Sequence, residues 1–303
     1  MKVLVTGSRG LVGSYLVPFL ESRGHQVVRL VRSNPQSGDI VWNPESREID
    51  KSKLEGFDAV VHLAGDNIAS GRWTAAKKTA IKSSRVDGTR FLSETLASLK
   101  VRPKVFVSAS AIGYYGDRCN EILTEASSVG GNFLAEVCQH WEAATRPASD
   151  NGIRVAQLRI GVVLSPDGGA LNKMLPPFKM GAGGRIGSGK QYISWITLED
   201  LSAITEFILR HDELSGPVNA VAPQAVTNDQ FTAALGAALK RPTIFPVPGF
   251  AAHILLGEMA DELLLSSALV KPEKLVSSGY KFHHQEINSA LVDVLDQRRH
   301  RSA

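Results

Sequence analysis

Val3-Leu4-Val5-Thr6-Gly7-Ser8-Arg9-Gly10-Leu11-Val12-Gly13 reads as a strand, a glycine loop and the start of a helix. Val3, Leu4 and Val5 form a short apolar run without helical period, the pattern of a strand buried on both faces. Gly7, Gly10 and Gly13 follow at three-residue spacing. Leu11, Tyr15, Leu16, Phe19 and Leu20 then recur at helical spacing, with Gly24 as the stop. The arrangement is that of a dinucleotide loop. Gly7 permits the tight turn, Gly10 lets backbone approach a pyrophosphate, and Gly13 lets helix and strand pack closely. The helix N-terminus adds free N–H groups and the positive end of a dipole. An ordinary strand-to-helix turn needs no third glycine. The loop therefore nominates Gly7, Ser8, Arg9, Gly10, Leu11, Val12 and Gly13 as cofactor-binding residues.

Outward from the loop, strand and helix patterns alternate. Gln26 to Val31 is a second strand, ending at Arg32-Ser33. Asp39 to Asp50, with a central Asn43-Pro44-Glu45-Ser46 turn, is a small hairpin insertion. Phe57 to Gly65 is a buried strand ending in small residues, and Arg72 to Ser98 a long helix. Val105 to Val107 is a strand running into Ser108-Ala109-Ser110. Asn132 to Ala144 is a helix and Arg154 to Val163 a strand. This alternation predicts an α/β protein with a Rossmann-type, doubly wound parallel sheet. Ser165 to Gly189 is rich in Gly and Pro, a long functional loop with a short helix over Asn172 to Met180. Glu199 to His211 is a helix, Pro217 to Val221 the last strand, and Thr227 or Asn228 the N-cap of a further helix. The expected division is a dinucleotide-binding domain over 1–163 and 197–224, with a smaller cap over 164–196 and 225–303.

Composition narrows the function. Of 303 residues, 43% are apolar and 21% charged, a globular rather than a disordered balance. A net charge of +4, partly in the Arg298-Arg299-His300-Arg301 run, is too small to argue for nucleic acid. The two cysteines, Cys119 and Cys138, suit free thiols in a reducing compartment. No apolar run approaches the roughly 18 residues that span a bilayer, so no membrane partner is expected. A first strand beginning at residue 2 leaves no room for a leader. The expected setting is cytoplasmic, or the sequence lacks a targeting segment.

The ribose end follows from charge. Folds that prefer NAD place Asp or Glu about 20 residues after the glycines. Here the strand ends Val31-Arg32-Ser33, without a carboxylate. Arg32 can pair bidentately with a 2′-phosphate, and Arg9 can reach the same group, so the expected cofactor is NADP(H). Leu63, Ala64 and Gly65 are small enough to line the adenine and ribose.

Several segments together resemble the extended short-chain dehydrogenase/reductases, sugar-nucleotide epimerase branch. They are the glycine loop, His62-Leu63-Ala64-Gly65 and Val107-Ser108-Ala109-Ser110 with Tyr115-Gly116. Arg72-Trp73-Thr74, Trp141-Glu142, Arg159-Ile160-Gly161, Asn219-Ala220-Val221-Ala222-Pro223 and the Lys271-Pro272 to Gly279-Tyr280 stretch narrow the resemblance. They look like the atypical "epimerase family protein" subgroup, sometimes labelled cell division inhibitor, which has no settled substrate. The resemblance implies that Arg85 contacts NADP. It also implies a Ser near nicotinamide, here Ser108 or Ser110, and a Tyr-x-x-x-Lys pair in which Lys tunes the phenol for proton transfer. None of the five tyrosines has Lys four residues on, and Phe133 and Val137 stand where that pair is expected. Tyr114 and Tyr115, just past the strand, become the candidate proton donors.

Three other motifs are set aside. Gly184 to Gln191 nearly matches a phosphate-binding loop, but Gln191 replaces the Mg²⁺-binding hydroxyl and an extended segment follows. The segment suits a loop that closes over substrate. No histidine pair has metal-ligand spacing, and His283-His284 is expected to be solvated. Thr197 stands where the subgroup often carries His. The sequence thus predicts an NADP-dependent oxidoreductase or epimerase for a small polar metabolite. The alternative is a catalytically silent NADPH-binding regulatory module. Neither nucleic acid nor metal is expected, and the oligomeric state stays open, a homodimer included.

Overall fold

Apolar runs that lack helical period can be buried only between two layers, and here they form an eight-stranded sheet sandwiched by helices. The protein is represented by a computed structural model that describes residues 1–301. The side chains of the basic run Arg298 to Arg301, and cap residues 302 and 303, lie outside the described residues. In chain order the first half runs β1 (Lys2–Thr6), α1 (Leu11–Ser22), β2 (Gln26–Val31), β3 (Ile40–Asn43), β4 (Glu48–Ile49), β5 (Ala59–His62), α2 (Ala75–Ala97) and β6 (Val105–Ala111). It continues with β7 (Ile122–Leu123), α3 (Phe133–Ala143), α4 (Arg146–Asp150), β8 (Arg154–Ile160) and β9 (Val162–Leu164). The second half runs α5 (Gly169–Lys179), β10 (Tyr192–Ile193), β11 (Trp195–Thr197), α6 (Leu198–Arg210), β12 (Gly216–Ala220), β13 (Val226–Thr227), α7 (Asn228–Leu239), α8 (Gly249–Leu256), α9 (Glu258–Ala260), β14 (Leu269–Val270), α10 (Glu273–Ser277) and α11 (Ile287–Arg301).

The strand order is β12-β8-β6-β5-β1-β2-β3-β4, parallel throughout except for the last pair. The winding reverses between β1 and β5, which opens a crevice at their C-terminal ends, over Gly7 and Leu63. One core cluster fills the α1/α6 face, with Val3, Val5, Leu16 and Ile204, and another fills the α2 face, with Leu4, Phe91, Leu92 and Phe106. A third, with Leu171, Phe178, Trp195, Phe231 and Leu291, joins α5, α7 and α11. Leu275, Tyr280 and Phe282, counted above with the cap, pack into the α1/α6 core.

Three local readings change. The hairpin over Asp39 to Asp50 is not an appendage: β3 also pairs in parallel with β2 and widens the main sheet. The strand from Arg154 breaks at Gly161, where a Cβ would lie 2.7 Å from the Ser194 carbonyl oxygen, and β9 turns to pair with β11. Pro217 to Val221 is not the last strand, because β13 and β14 follow as two-residue pairings too short to show a period. The N-cap of α7 is Thr227, which forms a capping box with Gln230. Among the described residues no helix is long and apolar enough to cross a membrane.

Candidate functional site

The glycine loop has the geometry its spacing demands. Gly7 has φ +65°, and a Cβ there would come within 2.6 Å of the Leu63 carbonyl carbon. A Cβ at Gly13 would come within 2.2 Å of the Gly7 oxygen, so only glycine lets α1 start this close to β1. Gly10 is the N-cap of α1 and supplies no capping side chain, and the first turn carries no acidic residue. Ser8 is buried, and its Oγ has no hydrogen-bond partner. An orphaned buried hydroxyl beside an uncapped helix start is costly unless an acceptor-rich group completes it. A pyrophosphate is such a group, so these residues fit a dinucleotide.

On the adenosine side the charges divide. Arg32 is exposed at the end of β2. Arg9 reaches across the loop and donates to the Ser33 and Asn34 carbonyls, with Asp39 at 3.4 Å. Arg85 on α2 is half-buried, donates to the Ile81 carbonyl and lies 5.1 Å over Trp141, and desolvation pushes its pKa down. Its guanidinium carbon would be 3.3 Å from a Cβ at Gly65, which places Arg85 against the Leu63-Ala64-Gly65 turn. That turn is fixed from below. The Leu63 and Ala64 N–H groups both donate to Thr6 Oγ1, leaving the Thr6 proton for His62 Nδ1 at 2.7 Å. His62 Nε2 then carries its proton to Thr89 Oγ1 at 3.0 Å, which also accepts from Trp141 Nε1. His62 is fully buried, and burial lowers its pKa to about 4.

Beyond the end of β6 the structure assembles a cluster of which the sequence reading nominated only part. Ser110 Oγ donates to Glu142 Oε1 at 2.7 Å. Arg159 grips the same carboxylate with Nε at 2.8 Å and a terminal nitrogen at 2.9 Å, while its other nitrogen donates to the Tyr115 hydroxyl. Tyr115 is fully buried and donates to Asn219 Oδ1 at 2.6 Å, and burial pushes its phenol up to about 12. Tyr114 is different: its ring lies 3.5 Å from the Arg159 guanidinium carbon, the residue is only half-buried, and among the described residues no hydrogen bond holds its hydroxyl. Ser108 is buried and reaches only the neighbouring Ala109 carbonyl, at 3.4 Å. Glu142, Arg159 and Asn219 had been noticed only as parts of family motifs. The available signal was Arg159 near the far end of β8, beyond Arg154 at its start, since a charge on a doubly covered strand needs a buried partner.

Phe133 and Val137 occupy the first turns of α3. The Phe133 ring packs against Trp73 at 5.5 Å and under Lys78 at 4.4 Å, and Val137 is buried. Glu262, which no sequence signal marked, reaches the start of α3 from the C-terminal region. Its two carboxylate oxygens accept from the Phe133 and Leu134 N–H groups, each at 3.1 Å, while burial raises its pKa. Lys78 pairs with Glu258 beside it. The Gly181 to Gly189 segment lies across from this region through Gln191, whose side chain joins the Ile186 and Leu264 carbonyls.

His284 is buried rather than solvated: the fully buried Asp200 gathers the His283 and His284 N–H groups and the Tyr280 hydroxyl, which draws this stretch inward. His284 also brings an imidazole to within 3.3 Å of Thr197 Oγ1. Cys119 is exposed and Cys138 buried, with burial pushing the Cys138 thiol up to about 12. Among the described residues no group of three or more His, Cys, Asp or Glu could hold a metal.

Comparison with known proteins agrees with this geometry. The profile of the NAD dependent epimerase/dehydratase family matches residues 3–221, and a domain of unknown function, DUF1731, matches residues 247–294. Epimerase family protein Mb2239 of Mycobacterium bovis is 46% identical over 290 residues, covering 95% of this chain and 96% of that protein. Human epimerase family protein SDR39U1 is 35% identical over 298 residues, covering 97% of this chain and 100% of that protein. The crystal structure of human SDR39U1 (isoform 2) with NADPH superposes with a TM-score of 0.91 at 33% identity, covering 98% of this chain and 99% of that chain.

Proposed function

This chain belongs to the NAD dependent epimerase/dehydratase family, and on that premise we propose that it binds NADP(H) and acts as an oxidoreductase or epimerase on a small polar metabolite. The observation that carries the cofactor is the orphaned Ser8 hydroxyl in an uncapped glycine loop, with Arg32 rather than a carboxylate at the end of β2. Arg32 takes the 2′-phosphate, Arg9 joins it by exchanging its bonds to the Ser33 and Asn34 carbonyls, and Arg85 lines the turn beside the ribose. The NADPH in the solved human relative supports this choice. A cytoplasmic, reducing setting suits the two free thiols.

NADPH should bind at least about tenfold more tightly than NADH, because one charge-assisted phosphate pairing contributes about 1.5–3 kcal/mol. Arg32→Ala should remove most of that preference. Fluorescence titration of both cofactors measures it, and equal affinities in the unmodified protein would refute the NADP reading.

When bound, the nicotinamide supplies or accepts a hydride. The protein must then manage a proton on the substrate oxygen. Phe133 cannot, and the Tyr115 hydroxyl is engaged by Arg159 and Asn219. Tyr114 carries this role: its hydroxyl has no competing partner, and the phenolate left behind would lie against the Arg159 charge. Ser110, held by Glu142, orients the substrate oxygen. Tyr114→Phe should lower turnover by about 10²-fold or more, the size of a general acid–base contribution, with NADPH affinity unchanged. A screen of carbonyl and alcohol metabolites that follows NADPH absorbance tests this. The silent-binder reading draws on Phe133 and Val137, and tight NADPH binding with no turnover across the screen would put it first.

A further inference from the structure

Two segments remote in sequence build one exposed apolar face. Met180 follows α5, Ile244 and Phe245 precede α8, and Phe250 and Ile254 lie on it. Their exposures run from 56% at Phe245 to 77% at Met180. Backbone pairing holds the segments together. The Val247 N–H donates to the Arg185 carbonyl at 2.8 Å, the Gly187 N–H to the Val247 carbonyl at 2.9 Å, and Pro242 lies against Gly181. Burial does not account for these side chains, and large apolar groups left exposed on paired segments mark an interaction site.

The rim is basic. Lys179, Arg185, Lys240 and Arg241 are all exposed around the patch. Arg185 has Asp229 at 3.8 Å, whereas Lys179, Lys240 and Arg241 form no ion pair among the described residues. Four other exposed or half-buried cations, Lys77, Lys78, Lys82 and Arg118, are by contrast paired with Asp66, Glu258, Glu136 and Glu121. The acids that follow α8 are engaged: Glu258 with Lys78, Asp261 with His253, and Glu262 with the Phe133 and Leu134 N–H groups.

We propose that this face docks on an anionic lipid surface, with the five apolar side chains entering the headgroup boundary and the four cations facing lipid phosphates. A second copy of the chain is the poorer occupant. A two-fold dimer sets the same patch on itself and would bring the unpaired cations face to face. A partner helix is also poorer, because of the five apolar side chains only Ile244 borders a hollow, and that hollow is lined by Arg185, Asp229, Thr232 and Thr243. Aromatic and aliphatic side chains ringed by Lys and Arg are the pattern of surface-bound, non-spanning segments. Cytoplasmic leaflets carry the matching negative charge. The absence of a spanning run in the sequence does not bear on such a face, which forms only when residues 179–187 meet residues 240–254.

The test is co-sedimentation of the full chain with vesicles of phosphatidylcholine alone or mixed with phosphatidylglycerol. Binding is expected to the mixed vesicles only, and it should weaken steeply as salt rises. Lys240→Glu with Arg241→Glu, and separately Phe245→Ser with Phe250→Ser, should each weaken it at least about tenfold. Circular dichroism and NADPH titration should stay unchanged, since all four side chains are exposed. Vesicle binding that is absent, indifferent to phosphatidylglycerol or indifferent to salt would overturn the proposal without relying on any variant. So would a dimer, seen by light scattering, that Phe245→Ser with Phe250→Ser dissolves while no vesicle is bound.

Discussion

Arg159→Ala should destabilise the protein by about 3–5 kcal/mol, the cost of leaving a buried carboxylate without its partner. Arg159 and Glu142 side chains are 3% and 13% exposed, and the pair is bidentate. Burial works against the guanidinium's charge, yet the Glu142 bonds outweigh it and raise its pKa. Truncating Arg159 also takes a donor from Tyr115 and the support from the Tyr114 ring. Replacing both partners by apolar residues of similar size, Arg159→Met with Glu142→Leu, should recover much of the loss, because no lone charge then remains. The recovery stays incomplete while Ser110 and Tyr115 lack their bonds. Urea unfolding of the two single variants and the double variant gives the coupling directly. A single-variant loss below about 1 kcal/mol would mean that water reaches this cluster and that the pair is not what organises it. The recovered double variant should still bind NADPH but lack turnover, which separates fold from chemistry.

Acid should weaken the fold earlier than its carboxylates alone require. His62 has a folded pKa of about 4 against an ordinary 6.5, because burial excludes the charged imidazole. Between these values the unfolded chain binds a proton that the folded chain refuses, so stability rises with pH across this window and is lost as pH falls. The expected loss is about 2 kcal/mol from pH 7 to pH 5, approaching about 3 kcal/mol near pH 4. Glu55 and Glu121, whose pKa values are lowered by hydrogen bonds, titrate below 4.5 and leave the upper part of the window to the histidine. His62→Gln should be less stable at neutral pH, through the broken chain from Thr6 to Thr89, but flatter with pH. Urea midpoints measured from pH 7 to pH 5 decide the matter, and parallel curves for the two proteins would remove His62 as the cause. Because the same chain of bonds holds the Leu63-Ala64-Gly65 turn, acid should weaken NADPH binding in step.

The sequence by itself determined the sheet and the glycine loop. Their signals are local: a run of Val and Leu needs two apolar layers, and three glycines at fixed spacing meet a backbone that no side chain can approach. It also put Arg32, not a carboxylate, at the end of the second strand, and the family resemblance set Phe133 and Val137 where a Tyr-Lys pair is expected. Only the tertiary structure decided what the polar residues do. Tyr114 and Tyr115 are neighbours in sequence, yet one hydroxyl is engaged by Arg159 and Asn219 while the other has no hydrogen-bond partner among the described residues. His284 was read as solvated and is buried, because Asp200 collects donors from the 280–284 stretch about 80 residues downstream. Glu262 meets the start of α3 across 129 residues, and the apolar face joins segments some 60 residues apart. Periodicity reports the burial of a contiguous stretch. The partner of a charge or a hydroxyl is set by directional bonds between remote segments, which exist only once the chain has closed upon itself.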